Sequence, residues 1–463
     1  MPRKASIQIR RDTRNNWLAE SAVLKNGELG YETDTGVLKI GDGTSGWNTI
    51  VRFANQNDIT MLNERIDDVL TVSSNNIYGV KIDTINQNPE TSVTYTDDAA
   101  GFVPMRGNDG NFDWGSWELP FKSLGIRPCV FKDDAVNYYL DPNDYTKKID
   151  GSNADITSGL DGDVMIEIPK MFWKFSENGT ERIIQMSRVE RKGFVCLAHT
   201  RGVNVEDNIY IGAYPGAVID GKMRSLSGKT PTNSKTHAAF RTYAQANGEG
   251  YEQFLFYQMQ LLQILYVIFF KSLDGQTALG RGNVDASVLK ITGARNTSGM
   301  FYGSTNGTEQ IKFCGIEDFW GNIRYWVDGI WSTANTDPAR KLWIATDEFN
   351  IVPYQQDGEM WVDADPKPYN YIEYGTGFAS NVDGYIKDIH GANETGFVTV
   401  NNGGSETTYY CDYACLQAGF LGSFGGSWTS AGNAGPFYLN LSYSPVFSHS
   451  IIGGRLTWIK KQS

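Results

Sequence analysis

Residues 254–270 constrain the fold more than any other stretch of this 463-residue chain. The run FLFYQMQLLQILYVIFF is apolar on nearly every helical face, so a helix built from it has no side to offer water. A membrane span needs about 20 predominantly apolar residues. This run is shorter, is interrupted by Gln258, Gln260 and Gln263, and stops at Lys271. It reads as a helix enclosed by a large domain, with no membrane insertion. The 50 glycines, 24 tyrosines, 23 phenylalanines and 12 tryptophans indicate what encloses it: short strands, tight turns and packed rings.

Charge removes further classes. A formal net charge of -12 without a long Lys/Arg run offers nucleic acid no electrostatic footprint. The first ten residues are partly basic but no apolar stretch follows them, so no signal peptide is expected. Cys129, Cys196, Cys314, Cys411 and Cys415 are an odd number in a long chain, which favours buried free thiols over a disulfide scaffold.

The chain divides by pattern. Residues 1–55 form a small β-rich unit in which 28–43 read as a hairpin, with Leu38 and Ile40 on one face and Asp34, Thr35 and Gly36 in the turn. In 56–90, Ile59, Leu62, Ile66 and Val69 recur at spacings of three and four, which predicts a short coiled coil. Two heptads are marginal alone, so flanking domains must help to hold such helices together. Residues 91–118 are turn-rich and read as a connector, and 119–463 as one large domain. Within it, 164–175 give a strong strand signal in which Pro169 marks an edge, a bulge or a break.

The N-terminal unit resembles that of phage tropism-determinant and tail-fibre proteins. The resemblance rests on Gln8-Ile9-Arg10-Arg11, Trp17, residues 27–34, residues 38–44 and Trp47-Asn48. Residues 311–329, with their Phe319-Trp320-Gly321-Asn322 core, resemble C-type-lectin-like domains related to formylglycine-generating enzymes, as do Gly425-Gly426-Ser427-Trp428 and Gly453-Gly454-Arg455-Leu456. Together these resemblances imply a multidomain α+β protein: a small β-rich N-terminal attachment domain, a short trimeric coiled coil and a large C-type-lectin-like C-terminal domain. They imply a homotrimer in the virion, at the distal tail or baseplate. Its N-terminal region would meet other phage tail proteins, and its C-terminal region would bind a bacterial surface glycan or protein.

Catalysis finds little support. His199, His237, His390 and His449 are scattered, and no nucleophile elbow is present. The carboxylate pairs Asp161/Asp163, Glu317/Asp318 and Asp363/Asp365 would suit a capsule-degrading glycosidase, but acidic residues are too common for the pairs to be diagnostic. Cys411 and Cys415 do not reproduce an oxidase arrangement. The acidic loops 155–163 and 357–365 lack EF-hand spacing; structural calcium stays open and no other cofactor is expected. A purely structural tail protein and a nonviral lectin are the rival binding-class readings.

The strongest candidate face is 401–450, rich in Gly, Ser and aromatic residues with only Glu406 and Asp412 charged. Such a mixture suits adaptable contact surfaces. The expected exposed ligand-binding residues are Tyr409, Tyr410, Phe437, Tyr438, Tyr443, Phe447 and His449 for ring contacts, and Asn433 and Asn440 for directional hydrogen bonds. Trp428 is expected to be structural.

Overall fold

The computed structural model describes residues 9–20, 22–50, 75–332, 342–345, 371–374, 382–417 and 421–461. They fall into two units, Met1–Ser73 and Ser74–Ser463.

In the small unit, Leu29–Glu32 and Leu38–Ile40 form the expected antiparallel hairpin, and Arg10–Asp12 pairs in parallel with the first of them. The hairpin's Leu38/Ile40 face is not the buried one. Burial falls instead on Trp17 and Trp47, stacked with centroids 4.1 Å apart, together with Leu24. Two indoles cover more apolar area than two aliphatic chains, so they set which side closes. Gly30 makes room for them, since a Cβ there would lie 2.5 Å from the Trp47 ring. Trp47 Nε1 donates to the buried Glu32 carboxylate at 2.8 Å.

The expected coiled-coil stripe, Ile59 to Val69, lies outside the described residues. The end of that span and the expected connector belong to the large unit. Ile77–Asp83 is a strand in which Tyr78, Val80 and Ile82 are buried at a period of two. It lies between Glu181–Ser187 and Val93–Asp97 in a four-stranded antiparallel sheet completed by Phe172–Asn178. Trp117 is fully buried against Tyr78, with centroids 5.1 Å apart. Glycine-rich turns between these rings gave the segment the look of a linker.

Two further large sheets belong to the unit, beside four two-stranded ones. An antiparallel sheet of seven strands runs from Asp144–Lys148 through Arg127–Lys132, Asp163–Pro169 and Asn208–Gly212 to Leu456–Trp458 and Tyr251–Gln253. The other, nine-stranded, is centred on Arg324–Ser332, Leu421–Phe424, Leu439–Tyr443 and Tyr413–Leu416. Pro169 acts as expected, ending one strand; the chain then enters the four-stranded sheet at Phe172. The described residues are mostly β, with two substantial helices, His237–Gln245 and Phe256–Phe270.

Helix Phe256–Phe270 is buried at every residue, as its sequence requires. No described helix is long and apolar enough to cross a membrane. Two of its glutamines have structural work: Gln260 Nε2 donates to the Asn393 carbonyl at 2.8 Å, and Gln263 Nε2 to the Pro436 carbonyl at 2.9 Å. The apolar rod thus grips two loops of the nine-stranded sheet.

Several buried charges are paired. Arg241 binds both oxygens of Asp328, with Nε to Oδ2 at 2.7 Å, and Arg201 meets Glu252 at 2.9 Å. Removing one partner strands the other in the core, so Arg241→Ala should lower unfolding stability by about 3–5 kcal/mol in denaturant titration. Burial also holds His199 down, to about 4, while its Nε2–H donates to the Ile168 carbonyl at 3.1 Å. An unfolded histidine takes up its proton near 6.5, whereas the native one stays neutral until about 4. Its contribution to stability is therefore complete above 6.5 and is lost as pH falls toward 4. The stability advantage of the wild type over His199→Gln should narrow across that window, by up to about 1.4 kcal/mol per pH unit. A constant gap would contradict this assignment.

Candidate ligand-binding face

The three separated motifs of the C-terminal half meet in one knot. Gly321 N donates to the Gly425 carbonyl at 3.0 Å, and Trp428 N to the Asn322 carbonyl at 3.1 Å. Asn322 has a left-handed φ of 58°, and its side chain binds Asp318, Asn283 and the Lys290 backbone. From the last strand, the buried Arg455 donates to the carbonyls of Gly212 (2.7 Å), Glu317 (2.7 Å) and Asp318 (3.1 Å) and to the Tyr325 hydroxyl (2.7 Å). Trp428 packs against the core from a half-buried position, in keeping with its expected structural role.

This knot places the expected ligand residues in two groups. Five of the nine are buried, contrary to expectation: Tyr409, Tyr410, Phe437, Tyr438 and Asn440. Phe437 sits among Tyr266, Phe397 and Tyr410, with centroids 4.9 to 5.7 Å away. Its backbone N–H donates to the buried Asp412 carboxylate at 2.7 Å while Gln263 holds the Pro436 carbonyl, so residues 436–438 are drawn inward from two sides. Asn440 spends its side-chain oxygen on Ser442 N and Oγ, at 2.9 and 2.6 Å. Rings that could have served a surface are consumed by the core.

The other four remain accessible. Asn433 is half-buried in a short turn, Ala431–Asn433, held from below by Gln276 Nε2 on the Ala431 and Ala434 carbonyls, both at 2.8 Å. Tyr443, Phe447 and His449 form a ladder. Tyr443 and Phe447 stack at 4.4 Å and 9°, and Phe447 and His449 follow at 6.0 Å and 3°. The strand Leu439–Tyr443 delivers the first ring as it leaves the sheet, and the loop after it returns to Ile452–Gly453. His449 is exposed, and the other two are half-buried.

Residues outside the expected set hold the ladder. Trp326 meets Tyr443 edge to face at 6.1 Å, and Arg324 donates through Nη1 to the Tyr443 hydroxyl. The Arg324 guanidinium also lies 5.0 Å from the Tyr438 ring. Both residues lie just past the Trp320-Gly321-Asn322 turn, on the strand Arg324–Ser332.

The candidate chemical groups are tied up. Asp163 is buried against Arg224 at 3.0 Å, and Glu317 accepts the backbone N–H groups of Gly293 and Arg295. Asp363 and Asp365 lie outside the described residues. Burial pushes the Cys415 thiol up to about 11 and the Cys411 thiol higher still, away from reactive thiolate character. Asp155 caps its own turn through Thr157 N and Ser158 N. Among the described residues there is no group of three or more His, Cys, Asp and Glu placed to hold a metal ion.

A small domain closed by a tryptophan pair and a large β-rich unit that carries an aromatic ladder define a modular β protein. Residues 7–45 match the family model described as the Major tropism determinant N-terminal domain. Among solved structures, the chain is similar to the Major Tropism Determinant I1 variant at 11% identity, covering 98% of this chain and 99% of that one, with a TM-score of 0.27. The P3c variant follows at 10% identity, 98% and 99% coverage and a TM-score of 0.21. No curated protein matches the chain.

The division into core and surface rings makes a direct prediction. Tyr438→Ala should lower unfolding stability by about 3–5 kcal/mol, as for other large buried rings, and Tyr443→Ala by about 1 kcal/mol. Equal losses in chemical denaturation would contradict the division.

Proposed function

We propose that this protein is a phage tail receptor-binding protein, an adhesin that recognises a bacterial cell-surface ligand through its C-terminal domain. The observation that carries the reading is the match of residues 7–45 to the tropism-determinant N-terminal domain. The solved proteins to which the chain is similar are named for determining tropism. The knot of Asn322, Trp428 and Arg455 supports a C-type-lectin-like scaffold for the large unit, and the Tyr443–Phe447–His449 ladder supplies the contact face.

In this reading the protein is a non-enzymatic virion component of the distal tail or baseplate. Its N-terminal domain faces other tail proteins, and three copies assemble as a homotrimer. Three sites on one particle make weak individual contacts effective, because the second and third bind at a high local concentration.

The test is binding to intact candidate host cells. Wild-type protein should bind saturably, and Tyr443→Ala/Phe447→Ala, with its fold and oligomeric mass verified, should bind roughly tenfold to a hundredfold more weakly. Unchanged binding by the variant would move the site elsewhere. Absence of wild-type binding across the relevant hosts would favour a purely structural tail component.

A further inference from the structure

Among the described residues, the ladder carries a positive charge that forms no ion pair, in a chain whose formal net charge is -12. Most described arginines of the large unit that are near carboxylates are paired: Arg241 with Asp328, Arg224 with Asp163, Arg295 with Glu309, Arg281 with Asp285. Arg324 differs. Its polar contact is the Tyr443 hydroxyl, its guanidinium lies beside the Tyr438 and Tyr443 rings at 5.0 and 6.0 Å, and its Nε is buried without an acceptor. Among the described residues it forms no ion pair.

A second cation belongs to the same neighbourhood. The Lys235 carbonyl accepts the Trp326 indole N–H at 3.2 Å, and Ser234 N donates to the His449 carbonyl at 3.1 Å. Lys235 is exposed. His449 Nδ1 accepts from Ile451 N at 3.3 Å, which leaves Nε2–H of the neutral ring as a donor. Parallel stacking covers ring faces and leaves ring edges outward, and the edge is the electropositive part of an aromatic ring.

Acidic residues are missing from the stretches that build this face. Residues 221–248 and 413–463 contain no Asp or Glu. On the strand Arg324–Ser332, Asp328 is buried and already neutralised by Arg241. Asp383 lies two strands from Leu439–Tyr443, in register with Cys415, and accepts the Tyr413 hydroxyl at 2.7 Å.

We propose that Lys235, Arg324 and His449 form a subsite for an anionic group, a carboxylate or phosphate carried on a surface glycan, seated beside the ring ladder. The inference rests on the adhesin reading and deepens it by naming the ligand chemistry. Charge-assisted hydrogen bonds from the guanidinium and ammonium orient the anion, and the rings contact the sugar that bears it. A neutral polymer would leave the cations without a partner.

The experiment measures retention of the full-length protein on three immobilised polymers: polygalacturonate, poly(glycerol phosphate) and neutral dextran. At least one anionic polymer should retain the protein roughly tenfold better than dextran, and the two anionic arms distinguish carboxylate from phosphate. Lys235→Glu, at an exposed position, and Arg324→Gln should each reduce retention by about threefold or more. Lys192→Glu, an exposed control on the 188–195 loop, should not. Equal retention on dextran, no retention on either anionic polymer, or an equal loss in the Lys192 control would overturn the proposal. Wild-type binding to host cells alongside any of those results leaves the adhesin reading standing; its absence removes both.

Discussion

The C-terminal half depends on one buried guanidinium. Arg455 is fully buried and, among the described residues, forms no ion pair, and an unsatisfied charge there would be costly. Three backbone carbonyls and a tyrosine hydroxyl receive it instead, while the Tyr325 ring lies 4.4 Å away. Those acceptors come from the seven-stranded sheet at Gly212, from the turn at Glu317 and Asp318, and from the strand Arg324–Ser332. One side chain thereby fixes the last strand against two sheets. The loop 444–451 is suspended between that strand and Leu439–Tyr443, so its path is determined at both ends.

Rigidity below and exposure above follow from the same arrangement. The segment 434–440 is tied down by Gln263, Gln276 and Asp412 and buries its rings. Beyond Tyr443 such ties give way to a surface stack steadied by Arg324 and Trp326. A ligand meeting this face would find rings already ordered, which limits the entropy lost on binding.

Much of the architecture was legible because it follows from burial. The helix Phe256–Phe270 could only be enclosed, Pro169 had to interrupt a strand, and the ordered motifs at 319–322, 425–428 and 453–456 had to meet if they belonged to one domain. The binding face was half legible. Tyr438 and Tyr443 sit in the same aromatic, serine-rich context, and composition does not distinguish a ring under a sheet from a ring at its edge. That distinction comes from distant partners: Asp412 and Gln263 pull residues 436–438 inward, and Ser442 occupies Asn440. Residues 75–118 were misplaced for a related reason. Residues up to 90 were assigned to the coiled coil and the turns of 91–118 read as a connector, whereas the strand pairing of Ile77–Asp83 and the burial of Trp117 are long-range facts. Arg324 and Lys235 were not legible because their significance lies in two chain segments without acidic residues, 221–248 and 413–463, being brought together.

The most direct test of the central claim, that residues 443–449 form the contact face, is hydrogen exchange of the full-length protein with and without host envelope fragments. Slower exchange is expected across 442–452 and adjacent residues 233–236, with the seven-stranded sheet unchanged. Protection confined to other surfaces, with 442–452 exchanging as in the free protein, would contradict it.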